Sequence, residues 1–166
     1  MRTNPFLSCV IPAYNEAGNL PQFIPALAAK LDQLDLAGYE IIVIDDGSKD
    51  DTLAVLYNLV EDYPLRVLEL SRNFGKEAAL SAGLDHVTGD IALLIDADFQ
   101  HPIDEIPTML NLWRNGYDMV YGIRNRTTES WLKRVLTQAY YRILNLSSPI
   151  DIPESAGDFR LLDARS

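Results

Sequence analysis

Cysteine is almost absent. Cys9 is the only one in 166 residues, so no internal disulfide can form, which fits a reducing compartment. Basic side chains are scarce as well, with 14 Lys and Arg against 24 Asp and Glu and a net charge of −10. A chain this acidic offers no general basic surface, so nucleic acid is not an expected partner. Long apolar runs are missing too. The longest, Ile91 to Ile95, is far short of the roughly 20 residues that span a bilayer. The N-terminal Met-Arg-Thr-Asn-Pro has no apolar stretch of the secretory-signal kind. The chain as it stands is expected to be soluble and cytoplasmic, or at most to lie on a membrane. No Cys/His cluster has zinc spacing, and no internal repeat or low-complexity segment breaks the pattern. What remains is globular: 48% hydrophobic and 23% charged residues exclude a disordered chain, and the length suits a single sizeable core.

The charge is unevenly spread. Residues 1–121 hold 7 basic and 19 acidic side chains, whereas residues 122–146 hold 5 basic and 1 acidic. Short apolar runs alternate with longer amphipathic stretches. Leu7 to Ile11 reads as a buried strand stopped by Pro12. Residues 19–36 have helical spacing, with Pro21 in the first turn and Pro25 distorting the second. A second strand runs from Tyr39 to Ile44. Ser48 and Asp51 resemble a capping box ahead of a helix through Leu53 and Leu59. Arg66 to Leu70 is a third strand, followed by a helix over 75–87. Ile91 to Ile95 is a fourth, apolar throughout as in the middle of a covered sheet. A helix opens at Pro102 and ends near Gly116, and Asp118 to Tyr121 is a fifth strand. This alternation predicts an α/β fold, three layers around a mainly parallel sheet. Ligands of such sheets bind beyond the carboxyl ends of the strands.

The loops after those strands carry the chemistry. Asp96-Ala97-Asp98 sets two carboxylates on alternate residues. They repel unless a cation sits beside them, and hard divalent cations take oxygen ligands and bridge to phosphates. Gln100 adds a neutral oxygen. The bland alternative is a solvated strand end that caps the next helix. Asp45-Asp46-Gly47-Ser48 can be a plain turn and cap, or a carboxylate set to accept a nucleobase N–H. Pro12-Ala13-Tyr14-Asn15-Glu16 is either a strand-ending loop or an aromatic face and carboxylate for a flat polar ligand. His86 and His101 read as structural, and Cys9 as a small core residue.

Taken together, "VIPAYNEAGNL", "VIDDGSKDDT", "RNFGKEAALSAGL", "DADFQHPIDEI" and "GDFRLLD" resemble the inverting glycosyltransferases of the GT-A fold. Within them the likeness is to the polyprenyl-phosphate sugar transferases, and it runs from about Ser8 to Asp163. It implies a Rossmann-like GT-A core over 1–123 and the start of an acceptor-side region over 124–166. By the same resemblance Pro12, Tyr14 and Glu16 line the nucleotide site, with Ile44 and Asp46 near the base. Asp96, Ala97 and Asp98 face the sugar diphosphate. Asp96, Asp98 and Gln100 are the implied ligands of Mg2+ or Mn2+. Lys76 lies in a loop over the nucleotide, Arg124 binds phosphate with Arg126 assisting, and Asp158 stands at the position of the catalytic base.

The implied activity is metal-assisted transfer, with inversion, of a sugar from a nucleotide-diphosphate sugar to a polyprenyl phosphate. Two alternatives stay open: a nucleotide-sugar-binding fragment without turnover, and a transferase of the same fold with a polysaccharide acceptor. Family members usually continue into a further phosphate-binding basic cluster and membrane-interacting helices. The chain is accordingly expected to be part of a longer enzyme at the cytoplasmic face of the cell membrane. No residue separates uridine from guanosine carriers, and homo-oligomerisation stays open. The basic region has its own pattern: Trp131, Leu132, Val135, Leu136, Ala139, Tyr140, Ile143 and Leu144 fall on one helical stripe. Lys133, Arg134 and Arg142 lie off it, as in a helix resting on anionic lipid or one packed on protein. A receiver domain is disfavoured because its acidic pair follows the first strand. A dinucleotide-binding oxidoreductase is disfavoured because Pro-Ala-Tyr replaces the Gly-rich turn.

Overall fold

The computed structural model describes residues 2–100, 102–123 and 156–164. The elements in chain order are β1 (Phe6–Ala13), α1 (Leu20–Leu31), β2 (Gly38–Asp45), α2 (Thr52–Leu59), β3 (Leu65–Glu69), α3 (Lys76–Leu84) and β4 (Ile91–Leu94). A 3-10 turn, Ile103–Glu105, leads into α4 (Ile106–Arg114), then β5 (Met119–Ile123) and β6 (Ala156–Asp163). The chain divides into two compact units, Met1–Tyr121 with Asp158–Ser166, and Gly122–Gly157. Among the described residues no helix is long and apolar enough to cross a membrane. His101 and the stripe from Trp131 to Leu144 lie outside the described residues.

One sheet of order β3-β2-β1-β4-β6-β5 organises the fold. β1 pairs parallel with β2 and β4, and β2 pairs parallel with β3. β6 returns antiparallel on β4. Strand alternation sorts the core into two layers. Leu7, Cys9, Ile11, Ile41, Val43, Ile91 and Leu93 share one cluster with Phe23, Leu56 and Trp113 of α1, α2 and α4. Val10, Ile42, Ile44 and Leu94 share the other with Ala79 and Leu80 of α3. Cys9 is fully buried, and burial drives its thiol pKa far upward, so it stays protonated.

Three expectations about local structure need correction. β1 runs through Pro12 to Ala13 rather than stopping at the proline. Ala13 O accepts the Asp46 N–H of the β2 side, so the neighbouring Pro12 faces β4, whose pairing with β1 has already ended at Leu94. No ladder bond is lost there, which is why the proline is tolerated. Ser48 and Asp51 make no capping box, because Asp51 contributes no side-chain cap. Asp50 accepts the Thr52 N–H instead, and Ser48 Oγ accepts the Asn15 N–H. Finally, β6 was not anticipated. It places Phe159 and Leu161 in the core and lies between β4 and β5 in the sheet.

The edge of the sheet away from the strand C-termini is held by a buried acid. Glu40 Oε1 accepts Ser8 Oγ at 2.6 Å, Thr88 N at 3.0 Å and Thr88 Oγ1 at 2.6 Å, while Oε2 accepts Arg66 Nη1 at 3.0 Å. Burial pushes its carboxyl upward, but the donors from Ser8, Thr88 and Arg66 outweigh burial and hold it below the usual glutamate range. Glu40→Ala strands those donors and is expected to cost about 3 kcal/mol, read as a lower urea midpoint at unchanged slope. A lowered folded pKa contributes stability that is present above the unfolded value of about 4.3 and disappears as pH falls through the folded value. The gap between wild type and Glu40→Gln should therefore narrow in acid, below about pH 4. A gap independent of pH would mean the carboxylate charge is not what the cluster uses.

Candidate active site

Parallel β1, β2, β3 and β4 bring their carboxyl ends to one edge of the sheet. A cavity of about 340 Å³ opens there. Its walls are the loop after β1 (Pro12, Ala13, Tyr14, Glu16), Asp46 after β2, the segment after β3 (Asn73, Gly75, Lys76) and the turn after β4 (Asp96, Ala97, Asp98). Four separate loops thus meet in one place.

Asp46 is the keystone between two of them. Its Oδ1 accepts the Phe74 N–H at 2.8 Å and its Oδ2 accepts the Gly75 N–H at 2.9 Å, and the residue is only 3% exposed. Gly47 reinforces this contact. Its φ is +67°, and a Cβ there would sit 2.5 Å from the Arg72 carbonyl carbon, so only glycine allows the approach. Gly75, with φ +97°, then turns the chain into α3. Asp45 is fully buried, with Oδ2 accepting the Ser48 N–H at 3.2 Å.

The β1 loop is laced to the segment before α2. Asn15 N–H donates to Ser48 Oγ at 2.9 Å, Asn15 Oδ1 accepts the Lys49 N–H at 2.8 Å, and Glu16 N–H donates to Thr52 Oγ1 at 2.9 Å. Asp50 accepts from Thr52 and from Ala17. Desolvation is the largest single influence and raises its pKa, but the Thr52 and Ala17 donors together outweigh it and lower the pKa. Tyr14, 39% exposed, keeps its ring available at the mouth.

In the β4 turn, Asp98 Oδ1 accepts the Gln100 N–H at 3.0 Å. Phe99 adopts φ +56°, a conformation costly for a bulky residue, and packs edge-on against Phe23 with ring centroids 5.1 Å apart. Lys76 Nζ lies 2.6 Å from Asp96 Oδ2. The repulsion expected between Asp96 and Asp98 is thus relieved in part by a cation of the protein's own. Among the described lining residues four carboxylates (Glu16, Asp46, Asp96, Asp98) face one ammonium. A cavity of that sign repels a diphosphate unless further positive charge enters with it.

Not every residue singled out in the sequence reaches the cavity. Ile44 is fully buried against α3 and does not line it, and Gln100 lies in the turn outside the wall. Asp158 falls on β6, where the antiparallel register pairs Leu94 with Arg160. Arg124 and Arg126 lie outside the described residues. Ala13, Asn73 and Gly75 line the wall without having been marked. Their only sequence signal is position, directly after a strand or beside a marked loop residue.

The mainly parallel six-strand sheet with its ligand edge is the GT-A fold shared by solved glycosyltransferases. The chain belongs to glycosyl transferase family 2, whose sequence profile matches residues 8–166. It is 43% identical over 161 residues to an uncharacterised glycosyltransferase of Synechocystis, a match covering 96% of this chain and 50% of that protein. It is 42% identical over 158 residues to the bactoprenol glucosyl transferase of Shigella phage SfX, covering 94% and 52%. The chain therefore spans about half the length of the curated relatives it matches. Two solved structures share the fold. Glucosyl-3-phosphoglycerate synthase from Mycobacterium tuberculosis, in complex with Mn2+, UDP-glucose and phosphoglyceric acid, aligns with TM-score 0.68 at 20% identity over 96% of this chain and 57% of its own. The mannosyltransferase PcManGT from Pyrobaculum calidifontis, in complex with GDP-mannose and Mn2+, aligns with TM-score 0.65 at 21% identity over 96% and 45%.

Proposed function

We propose that this chain carries the donor site and catalytic edge of an enzyme that moves a sugar from a nucleoside diphosphate sugar to a polyprenyl phosphate, with inversion at the sugar carbon. The observation that carries the reading is the meeting of four loops in one cavity, with Asp96 and Asp98 on one wall and Tyr14 at the mouth. The lipid acceptor is supported by the name of the phage relative, a bactoprenol glucosyl transferase. Such an acceptor is confined to a bilayer, so the full-length protein works at a membrane surface.

A divalent cation suits this cavity. Its described donors are hard carboxylate oxygens, the kind that divalent cations prefer. Among the described residues no cluster of three or more His, Cys, Asp or Glu forms a ready cage. Mg2+ and Mn2+ are commonly held by one or two carboxylates and completed by phosphate and water. Asp98 and Asp96 would hold it, with Gln100 beside them. Bound there, the cation neutralises the charge that grows on the departing nucleoside diphosphate. The chain's own groups do the rest. Tyr14 offers a stacking face, the tethered Asn73–Lys76 segment closes one side, and the buried Ala97 leaves room for the sugar. An acceptor phosphate is already ionised, so Asp158 orients and tunes it rather than removing a tightly held proton.

Asp98→Ala tests the assignment. Calorimetric affinity for UDP or GDP in Mn2+ should fall at least tenfold, while affinity in EDTA and the thermal midpoint of the free protein stay put. Equal affinity in Mn2+ for the two proteins would remove Asp98 from the metal. Transfer of radiolabelled sugar from UDP- and GDP-sugars to a polyprenyl phosphate in detergent then tests the reaction itself.

A further inference from the structure

The Lys76 ammonium occupies the place where a metal-binding carboxylate has to be free. Its Nζ is 2.6 Å from Asp96 Oδ2, and both side chains line the same cavity. Helix formation does not explain a lysine here. Lys76 is the first residue of α3, where the helix dipole disfavours a cation and favours an anion. The backbone beneath it is fixed, because Asp46 holds the Phe74 and Gly75 N–H groups. The side chain has four rotatable bonds and can swing while that backbone stays.

From this geometry we infer that Lys76 is a placeholder for the divalent cation. In the donor-free protein its ammonium neutralises Asp96. An arriving diphosphate takes the ammonium as its own counter-ion, at the positive end of α3, and so releases Asp96 to the metal. Metal and nucleotide then strengthen each other's binding, by the same factor in either order. The Lys76 and Asp96 side chains are 37% and 21% exposed. An ion pair this accessible biases an equilibrium by a factor of about two to five rather than by orders of magnitude. That weakens metal binding to the empty site several-fold and is small enough to yield to a diphosphate. The inference rests on the reading of Asp96 and Asp98 as metal-binding residues.

The test is a Mn2+ titration of the 166-residue chain, followed by the electron paramagnetic resonance signal of free Mn2+. It is run without nucleotide and with saturating UDP or GDP. Lys76→Met and Lys76→Gln, each checked for a native thermal transition, should bind Mn2+ alone about three- to fivefold more tightly than wild type. The gain that nucleotide confers on Mn2+ affinity should shrink in both variants. Lys76→Arg, which keeps the charge, should bind Mn2+ alone as weakly as wild type. Asp98→Ala should lose Mn2+ binding with or without nucleotide. If Lys76→Met and Lys76→Gln bind Mn2+ alone no better than wild type while Asp98→Ala still abolishes it, the placeholder role is overturned and the metal site stands. If wild type binds no Mn2+ even with nucleotide, both are overturned.

Discussion

Asp46→Ala is expected to lower nucleoside diphosphate affinity about 100-fold, equivalent to about 2.7 kcal/mol, with a smaller loss of global stability. The reason lies in where its carboxylate is spent. Both oxygens accept backbone N–H groups, from Phe74 and Gly75. Removing a shared charged acceptor costs about 1–3 kcal/mol for each donor left without a partner. Phe74 is 50% exposed, however, so the released N–H groups can turn to water if the loop lifts. The loss then falls on the order of the Asn73–Lys76 segment rather than on the whole domain. Three of the cavity's wall residues, Asn73, Gly75 and Lys76, hang on that segment. Amide hydrogen exchange at Phe74 and Gly75 should accelerate in step with the loss of affinity. Asp46→Asn, with one acceptor oxygen and one NH2 group, should fall between. Unchanged exchange at both amides, together with a full loss of affinity, would mean that Asp46 acts on the nucleotide directly and that the clamp is incidental.

This double use of Asp46 shows what the sequence could and could not convey. Four strand-to-helix alternations, a fifth strand and the loops that follow the strands were readable from periodicity. The reason is physical: β1, β2 and β4 are buried on both faces and so are nearly all apolar. The ligand edge followed, because parallel strands must end together. Partners distant in the chain were not readable. Lys76 and Asp96 stand 20 residues apart, and nothing local to either announces the 2.6 Å pair. α2 has no side-chain cap, and it is Asp50, rather than Ser48 with Asp51, that accepts the Thr52 N–H, a partner that the sequence alone does not reveal. β6 was missed for a different reason. "AGDFRLLD" alternates as a half-buried strand does, yet it lies far from the β4 that it joins, and its pairing is antiparallel in a sheet that is otherwise parallel over its first four strands. The chemistry-bearing types were visible, then, whereas the tethers that aim them were not.

The most severe loss of turnover should come from Asp158→Asn. In the transfer assay to polyprenyl phosphate, kcat is expected to fall about 10²-fold or more, the scale of losing a group that orients the acceptor. Donor affinity should change less than about twofold if the donor and metal contacts stay with the β1, β2, β3 and β4 loops. The argument starts from the strand. β6 packs Phe159 and Leu161 into the core and anchors its far end through Asp163, whose Oδ2 accepts Trp113 Nε1–H at 3.0 Å and meets Arg2 Nη1 at 3.2 Å. A strand held at that end carries its register toward Asp158 with little slack. β6 pairs antiparallel with β4, with Arg160 opposite Leu94, and Asp158 lies two residues before Arg160 on that strand. Asparagine keeps the size and one acceptor oxygen but not the charge, so folding is undisturbed and the change isolates the carboxylate. Positioning of an acceptor phosphate against the sugar carbon is lost without it, because proximity and orientation supply much of any two-substrate transfer. Mn2+ affinity in the presence of nucleotide separates this role from a third metal ligand. Retained Mn2+ binding with lost turnover places Asp158 on the acceptor side. Parallel loss of both would move it into the metal site with Asp96 and Asp98 and leave the acceptor phosphate to be oriented by other groups.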